Sequence, residues 1–189
     1  MNSTILQIRT LLSVILTLLA FSRVEAQDEK IWHVKAIHPE GVLLDVKAID
    51  EDGKIYGIKA IETQGNVHLL DIKALVGDQR LPVKVLPKSA NDQYEPVKAI
   101  ALDGTIYAIK ALTKEGEKLD VKGVKRSGNV IHIKAVAKDG TLYGVKAISP
   151  EGRVYDIKGI KMSTDKVEGK VNGVEFAAHI KALPQAPSN

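Results

Sequence analysis

Apolar and polar positions alternate in short bursts along most of the chain, and each burst closes in the same way. In Lys54-Ile55-Tyr56-Gly57-Ile58-Lys59-Ala60-Ile61 the side chains divide by alternation into two sets, the period of a strand buried on one face. Val-Lys-Ala-Ile or a close variant recurs with its lysine at Lys35, Lys47, Lys59, Lys73, Lys84, Lys98, Lys110, Lys122, Lys134, Lys146, Lys158 and Lys181. From Lys98 to Lys158 the step is always twelve residues. Glycines keep the same beat at Gly41, Gly53, Gly65, Gly104, Gly116, Gly128, Gly140 and Gly152. Strand followed by turn at this spacing predicts an all-β fold, an antiparallel meander of about 12–13 short strands packed as a sandwich or flattened barrel.

The turns carry their own chemistry. Asp50-Glu51-Asp52-Gly53-Lys54 and Ser149-Pro150-Glu151-Gly152-Arg153 fit a type I turn closed by a glycine bulge, in which glycine takes the positive φ. Pro39 and Pro150 sit where such a turn accepts proline. The face with Tyr56, Ile58 and Ala60, or Leu44, Val46 and Ala48, belongs to the core. The face with the lysine belongs to solvent or a wet lumen.

A parallel solenoid would also repeat at this period, but it would stack each lysine on its own copy, which is destabilising at every rung. Antiparallel pairing through the bulged turns avoids this. It places Lys35 and Lys59 across from Asp45, Lys47 across from Gly57, Lys110 and Lys134 across from Asp120, and Lys146 across from Asp156. His33, His132 and His179 occupy the same position, two before a lysine, and read as partners of lysine rather than metal ligands, because a metal needs several of them to converge. Asp45, Asp120, Asp156 and His132 are therefore the expected charge partners of a lysine ladder.

The beat falters between residues 76 and 94, where Pro82, Pro87 and a polar loop at 88–92 predict a corner between a shorter and a longer sheet. Asn172-Gly173 is a two-residue hairpin signal. The β-repeat domain spans 27–183, and 184–189 reads as a disordered tail. Residues 1–26 read as an export leader: Arg9 as the charged flank, Leu11 to Phe21 as the apolar run, and cleavage after Val24-Glu25-Ala26. The expected location is the periplasm, the outer surface or the extracellular space.

Composition narrows the function classes. With no cysteine there is no disulfide scaffold, thiolate metal site or lipidated cysteine. Without the leader (Arg9, Arg23, Glu25) the charge is 25 minus 22, or +3, and aromatics are 4% of the whole chain, a poor match to nucleic-acid binding. The strands are short for an outer-membrane barrel and lack aromatic girdles. There is no nucleophile elbow, phosphate loop, zinc helix or calcium loop, so neither a catalytic residue nor a cofactor is expected.

The unit GIKAIxxxG at 57–65, with DGTIYAIKAL from Asp103 and DGTLYGVKAI from Asp139, resembles the Val-Lys-Ala-Ile repeats of secreted bacterial proteins of unknown function. That resemblance implies no activity, cofactor or catalytic residue. The expected function is a non-enzymatic secreted or envelope structural or interaction module, with an anionic glycan or another envelope protein as its partner. The alternative is an anionic polysaccharide- or lipopolysaccharide-binding protein using Lys110, Lys122, Lys134, Lys146 and Lys158 as its cationic face. A hydrolase without a visible motif ranks third. Against anion binding stands the neutralisation of the ladder by Asp45, Asp120 and Asp156, which would leave the lysines the task of setting register.

Overall fold

The computed structural model describes residues 30–63 and 66–185. The expected leader at 1–26, the turn glycine Gly65 and the last four residues lie outside them. Among the described residues the chain is all-β and antiparallel, with no helix and hence none long and apolar enough to cross a membrane. The strands are β1 (Ile31–Ile37), β2 (Leu43–Ile49), β3 (Ile55–Thr63), β4 (Asn66–Val76), β5 (Gln79–Val85), β6 (Glu95–Ile100), β7 (Ile106–Leu112), β8 (Lys118–Ser127), β9 (Val130–Val136), β10 (Leu142–Ile148), β11 (Val154–Ile160), β12 (Gly169–Val171), β13 (Val174–Phe176) and β14 (Ala178–Pro184). Pro184 and Gln185, expected in the tail, are held by the fold: Pro184 ends β14 and the Gln185 amide donates to Asp156 at 3.2 Å.

The turns follow the sequence closely. Gly41, Gly53, Gly104, Gly116, Gly140 and Gly152 hold φ between 84° and 90°, as the bulged turn requires. Pro39 and Pro150 occupy the expected place inside two of these turns. Asn172 (φ 50°) and Gly173 (φ 81°) make the two-residue turn between β12 and β13.

Within each group of three, strands pair over only about half their length, and that half-pairing generates the architecture. β1 gives Lys35–Ile37 to β2 and Ile31–His33 to β3, while β2 and β3 pair through Lys47–Ile49 and Ile55–Gly57. Three strands thus close a triangle. The same happens for β6–β7–β8 and β9–β10–β11. In the fourth triangle β4 and β5 are completed by β14, which arrives from the far end of the chain.

The other edge of every strand pairs with a different triangle. The ladders are β1–β10, β2–β7, β3–β4, β5–β6, β8–β9 and β11–β14. Four triangles have six pairings between them, and each is used once, as in a tetrahedron. Both edges of all twelve strands are therefore occupied, which removes the exposed edges that an open meander would present. The expected division into a shorter and a longer sheet does not occur. Segment 86–94 instead carries the chain from β5 to the next triangle within one sheet of twelve strands that curls on itself.

Packing explains the motif. The residue before each lysine, from Val34 and Val46 through to Ile157 and Ile180, points to the centre, and all twelve surround one cavity of about 10 Å³. That is scarcely room for one water. The alanine after the lysine lies under a large neighbour across the strand: Ala48 opposite Tyr56, Ala60 opposite Trp32, Ala147 opposite Tyr155. Where the large partner is replaced by Ala178, its opposite is Val85, so large and small have exchanged sides and the volume is kept. Gly159 and Gly123 stand opposite Ile131 and Glu95.

The irregular segment 161–177 is fastened by Lys161, whose buried ammonium donates to the carbonyls of Ala177 (2.8 Å) and Asp165 and lies 3.8 Å from the Glu168 carboxylate.

Candidate functional site: four lysine faces

Side chains alternate, so the positions beside the buried ones point outward. Each triangle of strands therefore shows three lysines on its outer face. Within a triangle every lysine stands opposite the residue two before another lysine: Lys35 opposite Asp45 and Lys47 opposite Gly57, as expected, and Lys59 opposite His33. Each face has one aspartate: Asp45, Asp71, Asp120 and Asp156.

On the β1–β2–β3 face, Asp45 accepts a hydrogen bond from Lys35 and lies 3.6 Å from the Lys47 ammonium. Lys59 donates to His33 Nδ1 at 3.0 Å. On the β4–β5–β14 face, Asp71 accepts from Lys181 and lies 3.5 Å from Lys73. Lys84 there donates to His179 Nδ1 at 2.7 Å and sits 4.6 Å above the Phe176 ring.

On the β6–β7–β8 face, Asp120 accepts from Lys110 and lies 3.7 Å from Lys122. Lys98 stands opposite Ala108 and has no acceptor among the described residues. On the β9–β10–β11 face, Asp156 accepts from Lys146 and lies 3.2 Å from Lys158, which also approaches His132 Nδ1 at 3.3 Å. Lys134 stands opposite Gly144, again without an acceptor among the described residues.

One arrangement is thus built four times. Two ammoniums share a carboxylate, and a third has an imidazole or nothing. The third lysines are Lys59, Lys84, Lys98 and Lys134. Burial holds all four below the usual lysine range, and the neighbouring ammoniums of the same face add to it. For Lys84 the value falls to about 8, with Lys73 and Lys181 as the neighbours.

The carboxylates respond in the opposite sense. Asp45 is lowered chiefly by the hydrogen bond from Lys35. For Asp71, Asp120 and Asp156 burial is the largest single effect and would raise the pKa, but the hydrogen bonds from Lys181, Lys110 and Lys146 and the charges of the neighbouring lysines together outweigh it, and all three are lowered. The imidazoles are held neutral: His33 is lowered by the Lys59 charge first, His132 and His179 by burial first. They fall on three different faces, each beside a lysine.

Two details of the expected register are corrected. Asp45 does not pair with Lys59, because β3 leaves β2 after Gly57 and continues along β1. Asp120 does not pair with Lys134, because the turn at Gly128 is a tight two-residue turn and a bulge follows between Gly123 and Lys125. Asp120 therefore faces Val136, and Lys122 faces Lys134. The expectation that no lysine meets its own copy holds only within a triangle. Between triangles six lysine pairs stand directly opposite: Lys35–Lys146, Lys47–Lys110, Lys59–Lys73, Lys84–Lys98, Lys122–Lys134 and Lys158–Lys181.

The five lysines expected to form one cationic face lie on two. Lys110 and Lys122 belong to the β6–β7–β8 face, and Lys134, Lys146 and Lys158 to the β9–β10–β11 face. Of the four lysines without a carboxylate, that set includes Lys134 and omits Lys59, Lys84 and Lys98. The residue two before the lysine was a usable signal, but which strand supplies the opposite residue depends on how the chain is threaded through the triangles.

The acidic turns are satisfied locally. Asp50 accepts from the Lys54 amide and the Tyr56 hydroxyl, and Asp103 and Asp139 accept from the amides of Thr105 and Thr141. An open groove of about 330 Å³ adjoins the β6–β7–β8 face, lined by Tyr94, Lys118, Asp120, Lys122 and Lys138 among others.

These features define a class: a closed all-β repeat shell with an apolar centre and four cationic outer faces. The chain belongs to the family of unknown function DUF7486, which matches residues 28–183. No curated protein and no solved structure matches it.

Proposed function

We propose that the protein is a non-enzymatic, exported interaction module that holds an anionic polysaccharide or lipopolysaccharide on its lysine faces. One observation carries this reading: each face brings three lysines around one aspartate and leaves one ammonium, Lys59, Lys84, Lys98 or Lys134, without a carboxylate. A ladder serving register alone would be balanced, with a carboxylate for every ammonium. With the histidines of three faces neutral, the repeat positions of each face sum to three minus one, or +2. A sulfate or carboxylate group of a polymer supplies the missing charge, and many weak contacts along the polymer add up.

Export rests on the leader-like residues 1–26, and placement in the periplasm, on the outer surface or outside the cell follows from that reading. A second reading, a purely structural module, is favoured by the closed sheet with its filled centre. A glycan array at low and high salt separates the two. Binding to sulfated or uronate glycans that is lost at high salt, and weakened by Lys98→Gln with Lys134→Gln, supports anion recognition. Absence of binding to every anionic glycan leaves the structural reading.

A further inference from the structure

Four equivalent faces on a closed shell have a consequence that a single cationic face would not. We infer that the protein is a multivalent cross-linker of anionic polysaccharide, with one polymer-binding face on each of its four strand triangles. The inference rests on the anion-binding reading above and adds valency and geometry to it.

The triangles meet pairwise along six ladders and enclose one centre, so their outer faces look in four different directions. A semi-rigid polymer lying across one face can reach a neighbouring face only by bending round the shell. The cheaper arrangement is a separate strand of polymer on each face. At the shared ladders lysines stand opposite one another, and where both members have a carboxylate they are drawn to different ones. Lys35 is drawn to Asp45 and Lys146 to Asp156, while Lys47 is drawn to Asp45 and Lys110 to Asp120. At these ladders the carboxylates divide the positive charge between neighbouring faces, and each of the four faces is centred on its own aspartate. Each patch retains its own unpartnered ammonium.

The test mixes the protein with dextran sulfate and follows light scattering as the protein-to-polymer ratio rises. Cross-linking gives large particles near charge balance and small ones at either extreme, and high salt dissolves them. The triple variant Lys59→Gln, Lys84→Gln, Lys98→Gln keeps a complete set of lysines on one face alone. It is expected to bind the polymer as small soluble complexes. A control variant with the same loss of charge at exposed positions, Lys114→Gln, Lys125→Gln, Lys166→Gln, is expected to keep cross-linking.

If both triple variants cross-link equally, net charge is sufficient and the four-face inference is overturned. If the unmodified protein binds dextran sulfate but only as small complexes, the valency is wrong while anion recognition stands. Loss of that binding on Tyr94→Ala would then place it in the groove beside the β6–β7–β8 face. If the unmodified protein does not bind at all, the anion-binding reading itself fails.

Discussion

Lys35 and Lys146 stand directly opposite each other on neighbouring antiparallel strands, yet their ammoniums part to different carboxylates, Asp45 and Asp156. A like-charged pair in such a position is destabilising unless each member is drawn away. The aspartates of two different faces do this for one ladder. Carboxylates and lysines are thus coupled across the shell, and the consequences can be measured.

Asp120→Asn removes the carboxylate shared by Lys110 and Lys122 and leaves three ammoniums on one face without a counter-charge. Asp120 is half exposed, so the expected loss in urea denaturation is about 1 kcal/mol. Salt screens like charges, so the loss shrinks as salt is raised. An equal loss at low and high salt would contradict the charge account.

The pH profile has two limbs of the same sign. The folded pKa values of Asp45, Asp71, Asp120 and Asp156 lie below the unfolded value, so the folded state binds fewer protons there. Their stabilisation is present above about pH 4 and lost as pH falls through the lower folded values. Lys84 is lowered from 10.5 to about 8, so between those values the unfolded state again binds more protons. Stability therefore rises from pH 8 towards pH 10. After discounting for solvent screening the gain is on the order of 1 kcal/mol. Lys84→Met should raise stability at pH 7 and flatten this alkaline limb, which thermal melts across that range would reveal.

Nine of the twelve repeat lysines are followed by alanine, so Gly123→Ala restores the prevailing residue. It is nonetheless expected to destabilise. A Cβ at Gly123 would lie 2.7 Å from Ile131 Cγ2 and 2.9 Å from a Glu95 carboxylate oxygen, and both strands around it are pinned by ladders. Overpacking of this kind costs about 1–3 kcal/mol. A Gly123→Ala protein as stable as its parent in denaturant titration would show that this corner of the shell yields.

Deleting residues 31–37 removes β1 and leaves one whole edge of β10 unpaired, together with half an edge each of β2 and β3. Open edges pair with other chains. The deletion is expected to aggregate in size-exclusion chromatography, and a soluble monomer would show that closure of the shell is dispensable.

Much of this protein is written locally. Alternation around each lysine assigned the buried and the wet side, because neighbouring side chains on a strand must point to opposite faces. The glycines of the bulged turns set the antiparallel hand-over between successive strands, since a positive φ is costly for other residues. Pairs closed by such turns, Lys35 with Asp45 and Lys146 with Asp156, were legible for that reason. Lys122 opposite Lys134 was not, because the turn at Gly128 is of another type.

What tertiary structure decided was the second edge of every strand. The pairing of β14 with β4 and β5 joins residues more than ninety positions apart. Nothing in a repeat of near-identical units says which unit meets which. Closure of the sheet made that choice: a shell with no free edge and a filled centre satisfies every backbone ladder at once. Only then do twelve lysines and four aspartates sort into faces with one ammonium left over on each.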